Sequence, residues 1–201
     1  FPTDMILLNK TGGSSANSYV GSRLRGRDAY LVTNTTGAEA SSDDLWSFDL
    51  QNSFDQGAST SSAWVGYHWA RAKGYFDVVC YTGSGSGNRA LAHGLGAVPE
   101  MIWTKPLAST GDNNWAVYHK DTATKNIPLN TASTSNATNY TNLTASSVTL
   151  ADNTTNNTVA YISFFFATLA GVSKVGSVNH SGSSTDVDCG FTSGARFVML
   201  K

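Results

Sequence analysis

An internal repeat constrains the fold of this chain more than any other feature of its sequence. Five blocks in the first half resemble blocks in the second half at an offset of 96 to 97 residues. The matched blocks are 1–10 with 98–105, 29–36 with 125–132, 64–70 with 161–167, 74–79 with 171–176 and 93–95 with 189–191. A constant offset over separate blocks indicates duplicated structural units, so the sequence predicts two tandem units of about 96 residues.

The repeat also predicts how the chain is divided. We expect a first repeat over residues 1–97 and a second over 98–190. Residues 195–201 resemble the start of the second repeat, so 191–201 is predicted to be the first strand of a truncated third repeat. On this interpretation the chain is a segment of a longer protein.

The residue pattern within each unit predicts an all-β fold. Short apolar or alternating runs, rich in β-branched and aromatic residues, are separated by Gly, Asn, Ser and Thr clusters. These runs occupy 5–8, 116–119, 148–150, 159–166 and 197–200, and the run at 159–166 is apolar enough for a strand buried on both faces. Residues 76–93 resemble a hairpin with a glycine-rich tip at 82–88. We therefore expect two tandem antiparallel β-sandwich repeats, or alternatively one larger sandwich built from both halves.

Composition and charge argue against several function classes. Charged residues make up 13% of the chain, about half the roughly 25% that is usual in globular proteins. The formal net charge is −1, whereas nucleic-acid binding normally requires a basic surface. No apolar run approaches the roughly 18 residues of a transmembrane helix. We therefore expect neither nucleic-acid binding nor membrane insertion.

The polar residues give no catalytic or metal-binding pattern. His68, His93, His119 and His180 occur singly, without the spacing of a metal site. In the repeat alignment His68 is matched by Phe165 and His93 by Cys189, which favours packing roles. We accordingly expect no catalytic residues, no metal and no cofactor.

Carboxylates and cysteines leave two minor alternatives open. Asp186 and Asp188 would share one face of a strand, as a Ca²⁺ pair could, although a solvated strand face is the simpler interpretation. A pairing of Asp77 with Asp188 would suit a polysaccharide-cleaving enzyme, since such enzymes need two positioned carboxylates. Cys80 and Cys189 lie at non-equivalent repeat positions and are interpreted as buried free thiols in strands.

Two aromatic residues are the candidate ligand-binding positions. Trp46 and Tyr140 lie in loops that differ between the repeats, one of which also contains the Asp43-Asp44 pair. Loops that diverge on repeated strands are where a binding surface is expected. The other four tryptophans lie in predicted strands and are expected in the core: Trp64, Trp69, Trp103 and Trp115.

The repeat unit resembles a repeat of phage tail-fibre and other virion-appendage proteins, especially those of marine and cyanobacterial phages. The motifs that carry this resemblance are Val98-Pro-Glu-Met-Ile-Trp-Thr-Lys, Asn114-Trp-Ala-Val-Tyr-His119, Leu129-Asn-Thr131, Val159-Ala-Tyr161, Ala167-Thr-Leu-Ala-Gly-Val-Ser-Lys-Val-Gly176 and Tyr75-Phe-Asp-Val-Val-Cys-Tyr-Thr-Gly83. The resemblance implies lectin-like β-sandwich modules and no catalytic residues. The first unit departs from it, because Leu7-Leu-Asn-Lys10 is lengthened and the Trp-x-x-Tyr-His stretch is absent.

The resemblance implies a structural module at the virion surface that presents loops to host-surface glycans. Its partners would be other virion proteins and its own copies, with a homotrimer as the first expectation for a fibre. One alternative is a purely architectural spacer or capsid-decoration protein. Another is a polysaccharide-degrading spike enzyme, for which two carboxylates should face each other across a groove.

Overall fold

The computed structural model describes residues 1–11, 17–42, 45–48, 50–51, 54–57, 64–85, 87–111, 113–122, 125–180 and 182–201. Every ladder among these residues is antiparallel, which confirms the predicted all-β, sandwich-like fold. The strands are β1 (Met5–Lys10), β2 (Ser18–Ser22), β3 (Ala29–Val32), β4 (Ala40–Ser41), β5 (Trp46–Ser47), β6 (Asp55–Gln56), β7 (Trp64–Trp69), β8 (Phe76–Thr82), β9 (Arg89–Ala92), β10 (Met101–Pro106), β11 (Ala116–His119), β12 (Tyr140–Thr141), β13 (Ser147–Leu150) and β14 (Ala160–Phe166). Short turns of 3₁₀-helix at Arg23–Arg25 and Lys120–Thr122 and one helical turn at Asn153–Asn156 complete the described elements.

The sheets stack in four layers with three hydrophobic cores between them. The five-stranded sheet β4-β3-β2-β1-β7 packs against the four-stranded sheet β11-β10-β14-β8. The second face of the four-stranded sheet covers the three-stranded sheet β12-β13-β9. The second face of the five-stranded sheet covers the β5-β6 pair. The stack thus consists of two sandwiches that pack against each other through the middle core, so the alternative of one larger sandwich describes how they meet.

Strand β14 lies at the centre of this stack. It pairs with β10 on one side and β8 on the other, and every residue after Ala160 is buried. This confirms the prediction of a strand buried on both faces. Phe164 and Phe166 contribute to the core shared by the repeats, whereas Tyr161 and Phe165 contribute to the core on the other face.

The strand register repeats together with the sequence. β1 lies between β2 and β7, as β10 lies between β11 and β14. Leu7 is paired with Val20 and Tyr67. Advancing these positions by 96 or 97 residues gives the corresponding set in the second repeat, Trp103 with Val117 and Phe164. Since Leu7 and Trp103 both lie in the shared core, the two repeats pack through equivalent faces.

Residues 76–93 do not form the predicted hairpin. β8 pairs with β14 and β9 pairs with β13, so these strands lie in different sheets. The N–H of Gly83 donates to the carbonyl of Val159 at 2.9 Å, and the N–H of Gly85 donates to that of Asn156 at 2.7 Å. A Cβ on Gly83 would lie 1.8 Å from the carbonyl oxygen of Asn157, so only glycine fits there. The glycine-rich connection therefore packs against residues 156–159 and crosses between layers.

The crossing of β8 and β9 interlocks the two repeats. Both strands come from residues 1–97, yet they complete the sheets formed by residues 98–190. The division at residue 97 stays a prediction about the sequence repeat. The sheets themselves are shared across it, so the first repeat supplies two strands to the second.

The segment after β14 begins like the start of β8 but does not continue as a strand. The bridge between Leu169 and Ser173 reproduces the bridge between Ala72 and Phe76 at an offset of 97 residues. No strand follows in the described residues 174–180 and 182–201, so the strand predicted at 197–200 is not formed. Its counterpart β10 is paired with a strand on each side. Phe197 instead makes edge-to-face contacts with the rings of Tyr67 and Trp69 and belongs to no ladder.

A carboxylate precedes the first strand of each repeat, buried in the first repeat (Asp4) and half-buried in the second (Glu100). The backbone of Asp4 donates to the carbonyl of Trp69 at 2.8 Å and accepts from the N–H of Arg23 at 3.0 Å. Its carboxylate accepts the backbone N–H of Arg71 at 2.8 Å. Asp4 thus joins the start of β1, the end of β2 and the turn after β7, and we call this arrangement the carboxylate clamp.

Glu100 forms the second clamp 96 residues later. Its backbone donates to Phe166 at 2.9 Å and accepts from Lys120 at 2.8 Å. Its carboxylate accepts the backbone N–H of Thr168 at 2.9 Å and the ammonium of Lys120 at 2.9 Å. Burial opposes ionisation of Glu100, but the hydrogen bonds from Thr168 and Lys120 outweigh it, so the pKa of Glu100 is lowered.

A glycine in β2 makes room for a buried tryptophan. A Cβ on Gly21 would lie 2.4 Å from Cζ2 of Trp46, whose side chain is 1% exposed. We expect Gly21→Ala to destabilise the fold by about 1–3 kcal/mol, because the buried indole cannot move aside. Urea unfolding followed by tryptophan fluorescence measures this. Gly37→Ala is the control, since its Cβ would meet Thr35 Oγ1 at 3.5 Å, and equal stability losses in both variants would contradict the packing argument.

The Glu100 clamp makes stability depend on pH. Since the folded state holds the pKa of Glu100 below its ordinary value of 4.5, its contribution is present above that value and is lost as the pH falls through the folded pKa. We expect Glu100→Gln to lower the free energy of unfolding by about 1 kcal/mol at pH 7. At pH 3 the two proteins should be closer in stability. Urea unfolding at both pH values tests this, and an unchanged difference would contradict it.

Candidate functional site

An open depression of about 580 Å³ lies beside the first carboxylate clamp. Five charged residues line it, and we call it the charged groove: Asp4, Arg23, Arg71, Lys73 and Asp77. Pro2, which is exposed, adds apolar surface to its lining, whereas Phe76 lies behind the groove in the core and is 1% exposed. The groove is formed where the end of β7, the start of β1 and the start of β8 come together.

Arg23 is fixed by backbone carbonyls rather than by a carboxylate. It opens the 3₁₀ turn Arg23–Arg25, which is capped by Ser22. Its Nε donates to the carbonyl of Thr3 at 2.8 Å and its Nη1 to that of Phe48 at 2.5 Å. The guanidinium also lies 5.6 Å from the centre of the Phe48 ring. Arg23 forms no ion pair with any described residue, so its positive charge adds to the potential of the groove.

Arg71 is held by the clamp and remains accessible. Its Nε donates to Oδ1 of Asp4 at 3.1 Å, and its backbone N–H donates to Oδ2. The side chain of Arg71 is 43% exposed, while that of Asp4 is 8% exposed. Asp4 therefore orients the guanidinium of Arg71 at the surface while both of its own oxygens are engaged.

Lys73 and Asp77 complete the groove. Asp77 is buried, and its Oδ2 accepts the backbone N–H of Gly94 at 2.6 Å. Lys73 is exposed, and its aliphatic stem passes close to Gly96, where a Cβ would lie 3.6 Å from it. Lys73 forms no ion pair with any residue in the described part of the chain. Three cations against two engaged carboxylates make the groove suited to an anionic or polyhydroxylated ligand.

The second repeat keeps the clamp without the groove's cations. The positions equivalent to Arg71 and Lys73 are Thr168 and Ala170. Lys120, which is equivalent to Arg23, is paired with Glu100. The three cations beside the clamp are therefore specific to the first repeat, while the second repeat has Lys174 at the position equivalent to Asp77.

The two predicted ligand residues are buried, which corrects that prediction. Trp46 is 1% exposed in the core between β5-β6 and the five-stranded sheet. Tyr140 is 2% exposed, and its hydroxyl donates to Oγ1 of Thr104. Burial raises the pKa of Tyr140, which therefore stays protonated. Both lie in short strands inside the divergent segments, so they fill the cores and cannot stack on a surface ligand.

The other tryptophans largely follow the prediction. Trp69, Trp103 and Trp115 are buried in the core shared by the repeats, as expected. Trp64 is partly buried and packs against the core on the other face of the five-stranded sheet.

The predicted packing histidines and free thiols occupy structural positions. His93 stacks on Phe165 with ring centres 4.9 Å apart, and burial lowers the pKa of His93. His68 packs edge-on against Phe54 at 5.0 Å, and burial lowers its pKa as well. Cys80 and Cys189 are both free, as predicted, but both are only half-buried, and Cys189 lies outside the described strands, so the prediction of buried thiols in strands is wrong for Cys189.

The predicted carboxylate pairs give no metal or catalytic site among the described residues. Asp186 and Asp188 lie in the segment after β14, which forms no strand there, so they are not held on one strand face. Asp188 does not line the groove with Asp77, and its Oδ1 accepts the N–H of Gly190. The Asp43-Asp44 pair lies outside the described residues. In the described part of the chain no three His, Cys, Asp or Glu side chains are grouped as metal ligands.

The groove residues were not found from the sequence. Arg71 and Lys73 lie in the turn between β7 and β8, where charged residues are common. One available signal was the recurrence of an acid and a base at the repeat offset, Asp4 with Glu100 and Arg23 with Lys120. That recurrence indicates a structural clamp rather than a ligand site.

No helix in the described part of the chain is long and apolar enough to span a membrane.

A family model described as a domain of unknown function (DUF7483) matches residues 69–201, more than half of the chain. The match begins at the last residue of β7 and contains every strand from β8 to β14. No curated protein and no solved structure is significantly similar to the chain. The chain therefore belongs to the DUF7483 family.

Proposed function

We propose that the chain is a structural repeat module of a virion appendage of the tail-fibre type, which attaches to host-surface glycans through the charged groove. One observation carries the structural part of this proposal. Strand β8 of the first repeat pairs with β14 of the second along seven residues, so the two repeats are joined by a ladder as well as by a linker. Interlocked β units of this kind resist separation, which suits a protein that must stay intact outside a cell.

The groove supports the attachment part of the proposal. Arg71 and Lys73 offer donors, Arg23 adds positive charge, and the exposed Pro2 adds apolar surface against which a sugar ring can pack. Carboxylated or sulfated sugars match this combination, because arginine and lysine bind such groups with charge-assisted hydrogen bonds. Each groove would bind weakly, and many copies on one particle would raise the overall affinity.

The spacer or decoration role is the second candidate, and the burial of Trp46 and Tyr140 favours it. With both aromatics in the core, the divergent segments act as packing elements instead of binding loops. A spacer would use the same interlocked strands and would contact only protein neighbours. Binding of anionic glycans at the groove distinguishes the two roles.

We do not propose the polysaccharide-degrading activity. Asp4 and Asp77 both line the groove, but both oxygens of Asp4 accept hydrogen bonds from Arg71. A glycosidase needs one carboxyl group to donate a proton and a second to act on the sugar or on water. The virion-surface location and the homotrimer stay predictions, and light scattering on the purified chain would measure the latter.

We expect the chain to bind a sulfated polysaccharide such as heparin and to bind uncharged dextran far less. Lys73→Gln should weaken heparin binding about tenfold, because it removes one uncompensated cation from the groove. Lys125→Gln is the matched control, since Lys125 is an exposed lysine away from the groove. Titration calorimetry at low salt measures all three proteins. Equal losses in both variants would contradict binding in the groove, and no binding by the parent would favour the spacer.

A further inference from the structure

The segment from Ser173 to Phe191 carries the apolar positions of β8 and β9 without the packing that those strands have. At the repeat offset Val175, Val178, Val187 and Phe191 correspond to residues of the first repeat that are all buried: Val78, Tyr81, Leu91 and Leu95. Of these four residues of the segment only Val175 is buried, whereas Val178 is 44% and Val187 55% exposed. The segment thus has the pattern of two strands and lacks the sheet to cover them.

The turn that precedes this segment, at residues 169–173, has the same hydrogen bond as the turn that precedes β8. The N–H of Leu169 donates to the carbonyl of Ser173 at 3.1 Å, as Ala72 donates to Phe76 at 3.0 Å. Gly171 has a φ of 74°, and Gly74 before β8 has a φ of 76°. The turn at residues 169–173 therefore has the conformation of the turn that precedes β8. The described residues after it are paired with no strand.

The strand edge that corresponds to this segment is the outer edge of β7, which has no neighbouring strand among the described residues. β7 is the last strand of the five-stranded sheet, whereas its counterpart β14 carries β8 on the equivalent edge. The hydrogen bond from Gly83 to Val159 shows that alternate residues of β14 bond to β8. At the repeat offset the corresponding residues of β7 are Trp64, Gly66 and His68, and no described residue pairs with their backbone on that edge. Val65 on this strand is 41% exposed.

We propose that residues 173–178 of one copy of this chain add to the open edge of β7 in a second copy as an antiparallel strand. The β8–β14 register sets the pairing, because Phe76 lies opposite Phe166 and Thr82 opposite Ala160. Carried over by the repeat offset, Ser173 lies opposite Trp69, Ser177 opposite Val65 and Val178 opposite Trp64. Copies joined in this way continue from one chain to the next the interlocking found between the two repeats. This inference does not depend on glycan binding by the groove.

A second copy is the occupant because no described residue of the chain itself pairs with this edge. Phe197 packs on Tyr67 and Trp69, 4.8 and 5.2 Å from their ring centres, which lie on the strand face in the shared core. Residues 176–180 are exposed and form no ladder. An exposed edge strand and an unpaired strand segment on the same molecule favour pairing between molecules.

Disulfide trapping between two differently tagged chains tests the register. One chain carries Ser177→Cys and the other carries Val65→Cys, both in a background in which Cys80 and Cys189 are replaced by Ser. Paired residues in an antiparallel ladder lie within disulfide distance. Ala40→Cys on β4 is the matched acceptor, because β4 is the opposite edge of the same sheet and Ala40 is also exposed. We expect about tenfold more heterodimer with Val65→Cys than with Ala40→Cys.

Light scattering over a range of concentrations provides a second measurement. Val178→Pro should weaken association of the otherwise unchanged chain about tenfold, because proline removes a ladder hydrogen bond from an exposed residue without altering the core. Ser184→Pro, which lies outside the proposed strand, should leave association unchanged. Equal trapping by Val65→Cys and Ala40→Cys overturns the proposal. So does association that is insensitive to Val178→Pro, and so does an internal disulfide in a chain that carries both Ser177→Cys and Val65→Cys.

Discussion

The core between the two large sheets is the interaction on which the rest of the structure depends. Leu7 and Trp69 from the first repeat meet Trp103, Trp115 and Phe164 from the second, and all are buried. Each such side chain contributes about 1.5–3 kcal/mol on burial. Because equivalent faces of the repeats meet in this core, each sheet has its second face left to cover. The β5-β6 pair covers one and the β12-β13-β9 sheet covers the other, which accounts for the four layers.

The duplicated carboxylate clamp separates what the fold requires from what one repeat has added. In both repeats the acid before the first strand holds the turn that follows the strand paired with it. In the second repeat Lys120 neutralises Glu100, and the clamp is purely structural. In the first repeat Arg71 pairs with Asp4, while Arg23 bonds to neutral carbonyls, which leaves positive charge at the surface. The groove is therefore an elaboration of a structural element and not an independent site.

The sequence was most informative where local pattern decides the structure. The strand at 116–119 and the doubly buried strand β14 follow from apolar runs that only a strand can bury. The prediction of a hairpin at 76–93 was wrong because the residue pattern identifies strands but does not determine which strands pair. β8 pairs with β14, far downstream in the sequence. The prediction that Trp46 and Tyr140 bind a ligand was wrong for a related reason. A divergent, polar loop predicts exposure, but each of these residues is the large apolar side chain that closes a core.

Strand sharing changes what a repeat boundary means in this chain. If units are joined by a linker alone, tension on the chain falls on the linker. Here separation of the repeats would break seven residue pairs between β8 and β14 and expose the centre of two cores. The cost of separation therefore grows with the length of the shared ladder and the apolar area behind it. For the appendage role that we propose, the same ladder that completes the second repeat also resists its removal from the first.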